Sequence, residues 1–192
     1  HDGRTWFFGF AGPRNTTSLL GMVETYPLRW SGEWDESADS EFANRKENFG
    51  SGLIDGAMNC TLSPLDCVTP PPNQGRSYDL DCLAAYVDSL QVGASPGHAH
   101  GQPLTEAELR GQAIFSDPAL GCVSCHPPPL YTDLQMHDVG TVTSDERIGP
   151  EYDTPSLRGL HDSPPYFHDG SAATLYDAIT RPTPGQEHDV SG

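Results

Sequence analysis

Five consecutive residues carry the clearest chemistry in the chain: Cys122-Val123-Ser124-Cys125-His126. Covalent attachment of haem needs two thiols that reach the vinyl groups on one porphyrin edge, and a histidine whose imidazole meets the iron. C-x-x-C-H supplies all three. A thioredoxin-type dithiol also uses C-x-x-C, but wants a strand before it and an apolar-faced helix after it. Here Pro127-Pro128-Pro129 follows. A structural zinc site needs a second ligand pair, and Cys60, Cys67 and Cys82 fit no such spacing. The motif therefore reads as a c-type haem site, which places redox chemistry outside the cytoplasm.

The sixth iron ligand decides between electron transfer and substrate chemistry, because a second strong ligand closes the iron and an open position admits peroxide or a gas. Met58, Met136, His98, His100, His137, His161, His168, His188 and the tyrosines are the candidates, and the residues alone select none of them. Cys60 and Cys67 can close a small disulfide loop around Pro64. The remaining thiol, Cys82, is then either buried and inert on a helix or paired outside this chain.

The elements that must position the motif are mostly helical by pattern. Leu80, Leu83, Val87 and Leu90 form one stripe, predicting a helix over 79–90 that Gly93 and Pro96 end. A second helix starts at Thr105, with Glu108 closing a capping box, and runs to about Phe115 before the cysteines. Helical turns are expected over 16–20 and 36–47, the second anchored by Phe42, and a short helix over 173–179. Proline, glycine and asparagine fill the rest with loop. The order helix, linker, helix, C-x-x-C-H divides the chain into a first module at 1–92, a linker at 93–103 and a second module at 104–192. The first has its final helix but no C-x-x-C-H of its own; the second has the motif but no final helix. The chain thus reads as the middle and end of a longer two-module protein.

Composition sets the outer bounds. Across 192 residues, Lys and Arg number 10 against 27 Asp and Glu, a formal net charge of -17. That field opposes nucleic-acid binding and suits either solubility or a cationic redox partner. No apolar stretch approaches the roughly 20 residues needed to cross a bilayer. With hydrophobic residues at 35%, the apolar core is expected to be completed by something other than side chains.

Two further blocks, Tyr152-Asp153-Thr154-Pro155-Ser156-Leu157-Arg158-Gly159-Leu160 and Pro165-Tyr166-Phe167-His168-Asp169-Gly170-Ser171-Ala172-Ala173-Thr174-Leu175, follow His137-Asp138-Val139-Gly140-Thr141. With Gly12-Pro13-Arg14-Asn15-Thr16 and Trp30-Ser31-Gly32-Glu33, they make the chain resemble the bacterial dihaem cytochrome c peroxidase and MauG family. The resemblance implies an all-α fold of two cytochrome c-like haem modules with long irregular loops. It implies haem c in both modules, with Cys122, Cys125 and His126 holding the second, and a Ca2+ ion between them. Asn15 and the main-chain oxygens of Asp153 and Pro155 would resemble the calcium ligands, Trp30 the tryptophan between the haems, and Arg14 a partner for a haem propionate. His1, opening His1-Asp2-Gly3-Arg4, stands at or next to the first haem's proximal ligand. The implied activity is peroxide reduction with electrons from a small redox protein or other donor, in the periplasm or at the cell surface, with another polypeptide or segment completing both modules.

Three departures accompany the resemblance. The family's distal histidine falls near Phe7, its acid–base glutamate near Gly50, with Glu47 the nearest substitute, and its late methionine or tyrosine near Pro182. His188, in a loop that Gly185 loosens, is the expected distal ligand of the second haem. The alternative function is an electron-transfer cytochrome with all irons six-coordinate, possibly a subunit of a larger redox assembly.

Overall fold

In a computed structural model of the chain, the described residues are 2–47, 49–55, 72–95, 97–98, 101–142, 144, 146–147 and 149–180. His1, Met58, Cys60, Cys67, His100 and His188, and the side chain of Glu47, lie outside what is described.

One local structure occurs twice, at a constant sequence offset from its second strand onward. In the first copy, strands β1 (Thr5–Phe7) and β2 (Pro13–Asn15) pair antiparallel, Trp6 opposite Arg14. In the second, β3 (Met136–His137) and β4 (Tyr152–Asp153) pair antiparallel, His137 opposite Tyr152. Gly21 (φ 71°) and Gly159 (φ 74°) then open matching 3-10 turns at Met22–Glu24 and Leu160–Asp162. Bridges Leu28 to Trp34 and Tyr166 to Ala172 pinch two loops in the same way. Even the uncommon left-handed backbone of a non-glycine residue recurs, at Arg29 (φ 70°) and Phe167 (φ 65°). Each copy ends on a capped helical turn. Glu36 and Asp39 close a capping box ahead of α1 (Ser40–Phe42), and Thr174 and Asp177 exchange the equivalent bonds at the start of α5 (Leu175–Thr180).

The two copies are tied reciprocally. The Asn15 amide donates to the His168 carbonyl at 2.6 Å, and the Asp153 amide donates to the Trp30 carbonyl at 2.8 Å. Each strand end thus holds the other copy's pinched loop.

The longer helices lie between and beside these copies. Helix α2 (Tyr78–Asp88) is capped by Ser77, and its Leu80, 1% exposed, packs with Ala38 and Ile54 into a small core. Leu83 and Val87 of the same stripe face a cavity instead. Helix α3 (Glu106–Phe115) begins with the expected capping box: Thr105 N–H donates to Glu108 Oε2 at 2.7 Å, and Glu108 N–H to Thr105 Oγ1 at 3.3 Å. The turn expected over 16–20 forms later, at Met22–Glu24, because local side-chain bonds compete for the backbone. Thr16 Oγ1 donates to the Arg4 carbonyl, and Ser18 Oγ accepts from Leu20 N–H.

Two expectations need correction. The regular structure is not all helical, since each copy contains a two-stranded ladder. Cys82 is not buried: it lies exposed on α2 as a free thiol. Among the described residues no helix is long and apolar enough to cross a membrane.

Candidate functional site

Helix α3 delivers the chain through a turn at Asp117–Leu120 to Gly121, whose left-handed backbone (φ 71°) opens the four-residue helix α4 (Cys122–Cys125). The proline run beyond it bends back, so that Tyr131 N–H donates to the Pro127 carbonyl at 2.8 Å. This return brings the Tyr131 carbonyl to 3.0 Å from His126 Nδ1. A carbonyl can only accept, so Nδ1 carries the proton and Nε2 keeps its lone pair. Burial, at 9% exposure, also holds the imidazole below its usual pKa and hence neutral. A neutral histidine with an oriented Nε2 beside two free thiols is the donor set that haem c requires.

Cys122, Cys125 and His126 form part of the wall of a cavity of about 1880 Å³. Its lining alternates between the two copies: Leu19 and Leu157, Met22 and Leu160, Leu28 and Tyr166, Trp30 and His168 are equivalent pairs that all face it. Apolar residues that would otherwise make a core, including Leu83, Val87, Phe115, Leu175 and Ile179, line it too.

Trp30 and His168 meet at the junction, edge to face with ring centroids 6.3 Å apart. Trp30 Nε1–H donates to the Asn15 carbonyl at 2.9 Å. The two equivalent residues Asn15 and Asp153 each keep a buried side-chain oxygen, Oδ1, with no hydrogen-bond partner among the described residues. Hard oxygens contributed by both copies at one junction suit a cation such as Ca2+. The Asp153 carboxyl is pushed up to about 7, first by burial and then by the charge of Asp133. Pro155, the third expected calcium ligand, has its main chain against the His126 ring.

Behind this junction lies a buried polar cluster that the sequence did not disclose. Glu146, with a side chain 0% exposed, accepts from Arg14 Nη1 at 2.6 Å and from the Tyr152 hydroxyl at 2.5 Å, both on Oε2. Its Oε1 accepts from His168 Nε2–H at 2.9 Å, and His168 stacks on Tyr152 with centroids 4.0 Å apart. Arg14 is therefore committed to Glu146, while its Nη2 is buried without a partner among the described residues and the side chain still borders the cavity.

The other candidate ligands are dispersed. Met136 packs its sulfur against the Gly32 turn, His98 bonds the Gln102 carbonyl and Glu108, and His161 pairs with Asp162. His137 lies on the cavity wall, bonded to Asp133 at 2.7 Å. Cys125, Asp133 and His137 bring their ligand atoms within 4.8 Å of one another, but thioether formation would commit Cys125 to haem.

A carboxyl whose folded pKa is raised binds its proton more tightly in the native state. Its contribution to stability is thus present in full below the usual value of 3.8 and lost as pH rises through about 7. In calcium-free buffer Asp153→Asn is expected to remove that decline. Denaturant midpoints of both proteins across about pH 4 to 8 test it, and parallel curves for the two proteins would refute it. Asp39, raised to about 6 by burial, titrates in both and cancels in the difference.

The attachment motif and the doubled, cavity-centred scaffold define a cytochrome c-like protein. No family model matches the chain. It is 32% identical over 201 residues to the methylamine utilization protein MauG of Methylorubrum extorquens, covering 91% of this chain and 57% of that protein. It is 36% identical over 140 residues to hydrazine synthase subunit gamma of Kuenenia stuttgartiensis, covering 52% of this chain and 40% of that one. The cytochrome c551 peroxidase of Nitrosomonas europaea matches at 32% over 91 residues, or 40% of this chain and 27% of that one. A solved Kuenenia stuttgartiensis hydrazine synthase superposes with a TM-score of 0.71 at 26% identity, covering 99% of this chain and 71% of that chain. The chain belongs to a MauG/cytochrome c peroxidase-like family, and spans between about a quarter and just over half the length of these curated relatives.

Proposed function

We propose that the protein is a dihaem c-type, peroxidase-like oxidoreductase that reduces hydrogen peroxide with electrons from a small redox donor. The observation that carries this is the cavity: equivalent residues of both copies line it, and its volume of about 1880 Å³ is roughly twice the ~1000 Å³ upper range of single-ligand pockets. Cys122 and Cys125 would hold one haem by thioethers, with His126 Nε2 on the iron and His188 as the distal ligand. His1 would serve the other haem. Haem so held supplies one-electron chemistry and, where an iron position stays open, a place for peroxide. Trp30 would pass electrons at the junction, Arg14 Nη2 would meet a propionate, and Glu47 would handle protons at bound peroxide. Asn15, Asp153 and Pro155 would hold Ca2+ and so fix the two modules in register. The periplasm or cell surface is the setting that C-x-x-C-H attachment and the family relatives support, and the excess of acidic residues suits a basic partner.

A second reading, electron transfer within a larger redox assembly, has specific support. Phe7, at the position of the family's distal histidine, borders the cavity and offers no proton. A side chain on Gly50 would begin 2.3 Å from Asn44 Oδ1 and 2.9 Å from the Asn44 carbonyl, so a glutamate there would require the Asn44 side chain to turn away and the backbone to shift. The likeness to a hydrazine synthase subunit favours the assembly. The absorption spectrum of dithionite-reduced protein, before and after carbon monoxide, separates the readings. About half the haem is expected to shift to a carbonyl spectrum, since one open iron of two would bind it. No shift would favour electron transfer.

A further inference from the structure

Tyr152 and Trp30 flank the same junction yet have opposite proton chemistry. Trp30 Nε1–H donates to the Asn15 amide carbonyl, which cannot take up a proton at any useful pH. An oxidised Trp30 would therefore stay a charged radical that readily passes its hole on. Tyr152 donates its hydroxyl to the Glu146 carboxylate at 2.5 Å, a group that can accept a proton. The tyrosine is 4% exposed, and its ring stacks at an interplanar angle of 13° on His168, which meets Trp30 edge to face. The three rings make a continuous path along the cavity wall, ending at a base.

We infer that Tyr152 is a proton-coupled redox station, storing as a neutral tyrosyl radical an oxidising equivalent that Trp30 only relays. Tyr152 gives one electron to a one-electron oxidant at the cavity, the O–H bond breaks, and its proton moves to Glu146 Oε2. The products are the reduced oxidant, the neutral phenoxyl radical and a protonated Glu146, which Arg14 and His168 continue to hold. Tyr152 and Glu146 come from the second copy and Arg14 from the first, so the station lies where the two meet. The inference goes beyond peroxide reduction and borrows from that reading only a natural source of oxidant.

The test uses the haem-loaded full-length protein and an external oxidant, a ruthenium(III) polypyridyl complex generated by flash-quench, with rapid freezing and high-field EPR. Exposed tyrosines such as Tyr78, Tyr86 and Tyr176 give broad signals from varied surroundings. Tyr152 is expected to add one narrow g-tensor component with a strong coupling to an exchangeable deuteron. Tyr152→Phe, which removes only the hydroxyl, should lack it. Glu146→Gln should slow its formation by about 100-fold, the low end of what a positioned proton acceptor contributes. A narrow component that persists in Tyr152→Phe overturns the inference. If flash-quench produces the component and hydrogen peroxide does not, Tyr152 stands as the station and the peroxide-reducing function fails.

Discussion

The double substitution Cys122→Ser, Cys125→Ser is expected to leave the second module with no covalently bound haem. Both thiols stand on α4 at the cavity wall, so each can reach a vinyl group on one porphyrin edge. Serine keeps the size and the helix but cannot form the thioether under the same conditions. In denaturing gels the haem stain attributable to this motif should vanish, and the pyridine haemochrome of the whole protein should drop by the content of one haem. Each single variant should keep its haem through the remaining bond, with a haemochrome band shifted toward that of an unreduced vinyl. The loss reaches beyond the cofactor, because among the described residues few apolar side chains are fully buried against protein. Leu80 packs in a core with Ala38 and Ile54, while Leu83, Val87, Phe115, Leu175 and Ile179 face the cavity. A haem bound to the folded state alone stabilises that state, so the double variant should also unfold at lower denaturant. Unchanged covalent haem in the double variant would remove the motif from the attachment site altogether.

The parts of this structure that were legible beforehand are those set by local rules. Thr105 and Glu108 sit at capping-box spacing, and the bonds form as the spacing requires. Leu80 heads a helical stripe and is buried, but Leu83 and Val87 turn to the cavity, since periodicity tells which face is apolar and not what covers it. Asn15, Trp30 and Asp153 are brought together at the junction, while His1 and His188 lie outside the described residues. Two modules were expected, and their register is written in Asn15-Thr16-Thr17-Ser18-Leu19-Leu20-Gly21 and Asp153-Thr154-Pro155-Ser156-Leu157-Arg158-Gly159, which share Thr, Ser, Leu and Gly at fixed places, but the pinched loops that follow hide it. Pro27-Leu28-Arg29-Trp30-Ser31-Gly32 and Pro165-Tyr166-Phe167-His168-Asp169-Gly170 share only proline and glycine at fixed places. Carrying the offset of the shared Thr-x-Ser-Leu-x-Gly run forward gives the equivalence of Trp30 and His168. Glu146 was invisible for a different reason. It lies in an irregular segment, and its role comes from Arg14, Tyr152 and His168 converging from distant positions.

Glu146→Ala should therefore be among the most destabilising single substitutions in the protein. Its carboxylate is fully buried, and the Arg14 side chain against it is only 8% exposed. Removing the anion strands a guanidinium in a poorly solvated place and leaves the Tyr152 hydroxyl and His168 Nε2–H without their acceptor. Breaking a buried ion pair from one side costs about 3–5 kcal/mol, and unmet hydrogen bonds act in the same direction. The expected result is an unfolding free energy, from guanidinium chloride titration of the haem-loaded protein, that is lower by an amount in that range. The double variant Arg14→Met, Glu146→Leu should recover most of it, because replacing both ions with apolar side chains avoids the stranded charge. Because Arg14 belongs to the first copy and Glu146 to the second, the pair also joins the two halves. Loss in the single variant with recovery in the double assigns the cost to the uncompensated charge. Loss in both would mean that the polar bonds to Tyr152 and His168 hold the halves together, and a cost below about 1 kcal/mol in the single variant would mean that water reaches Arg14.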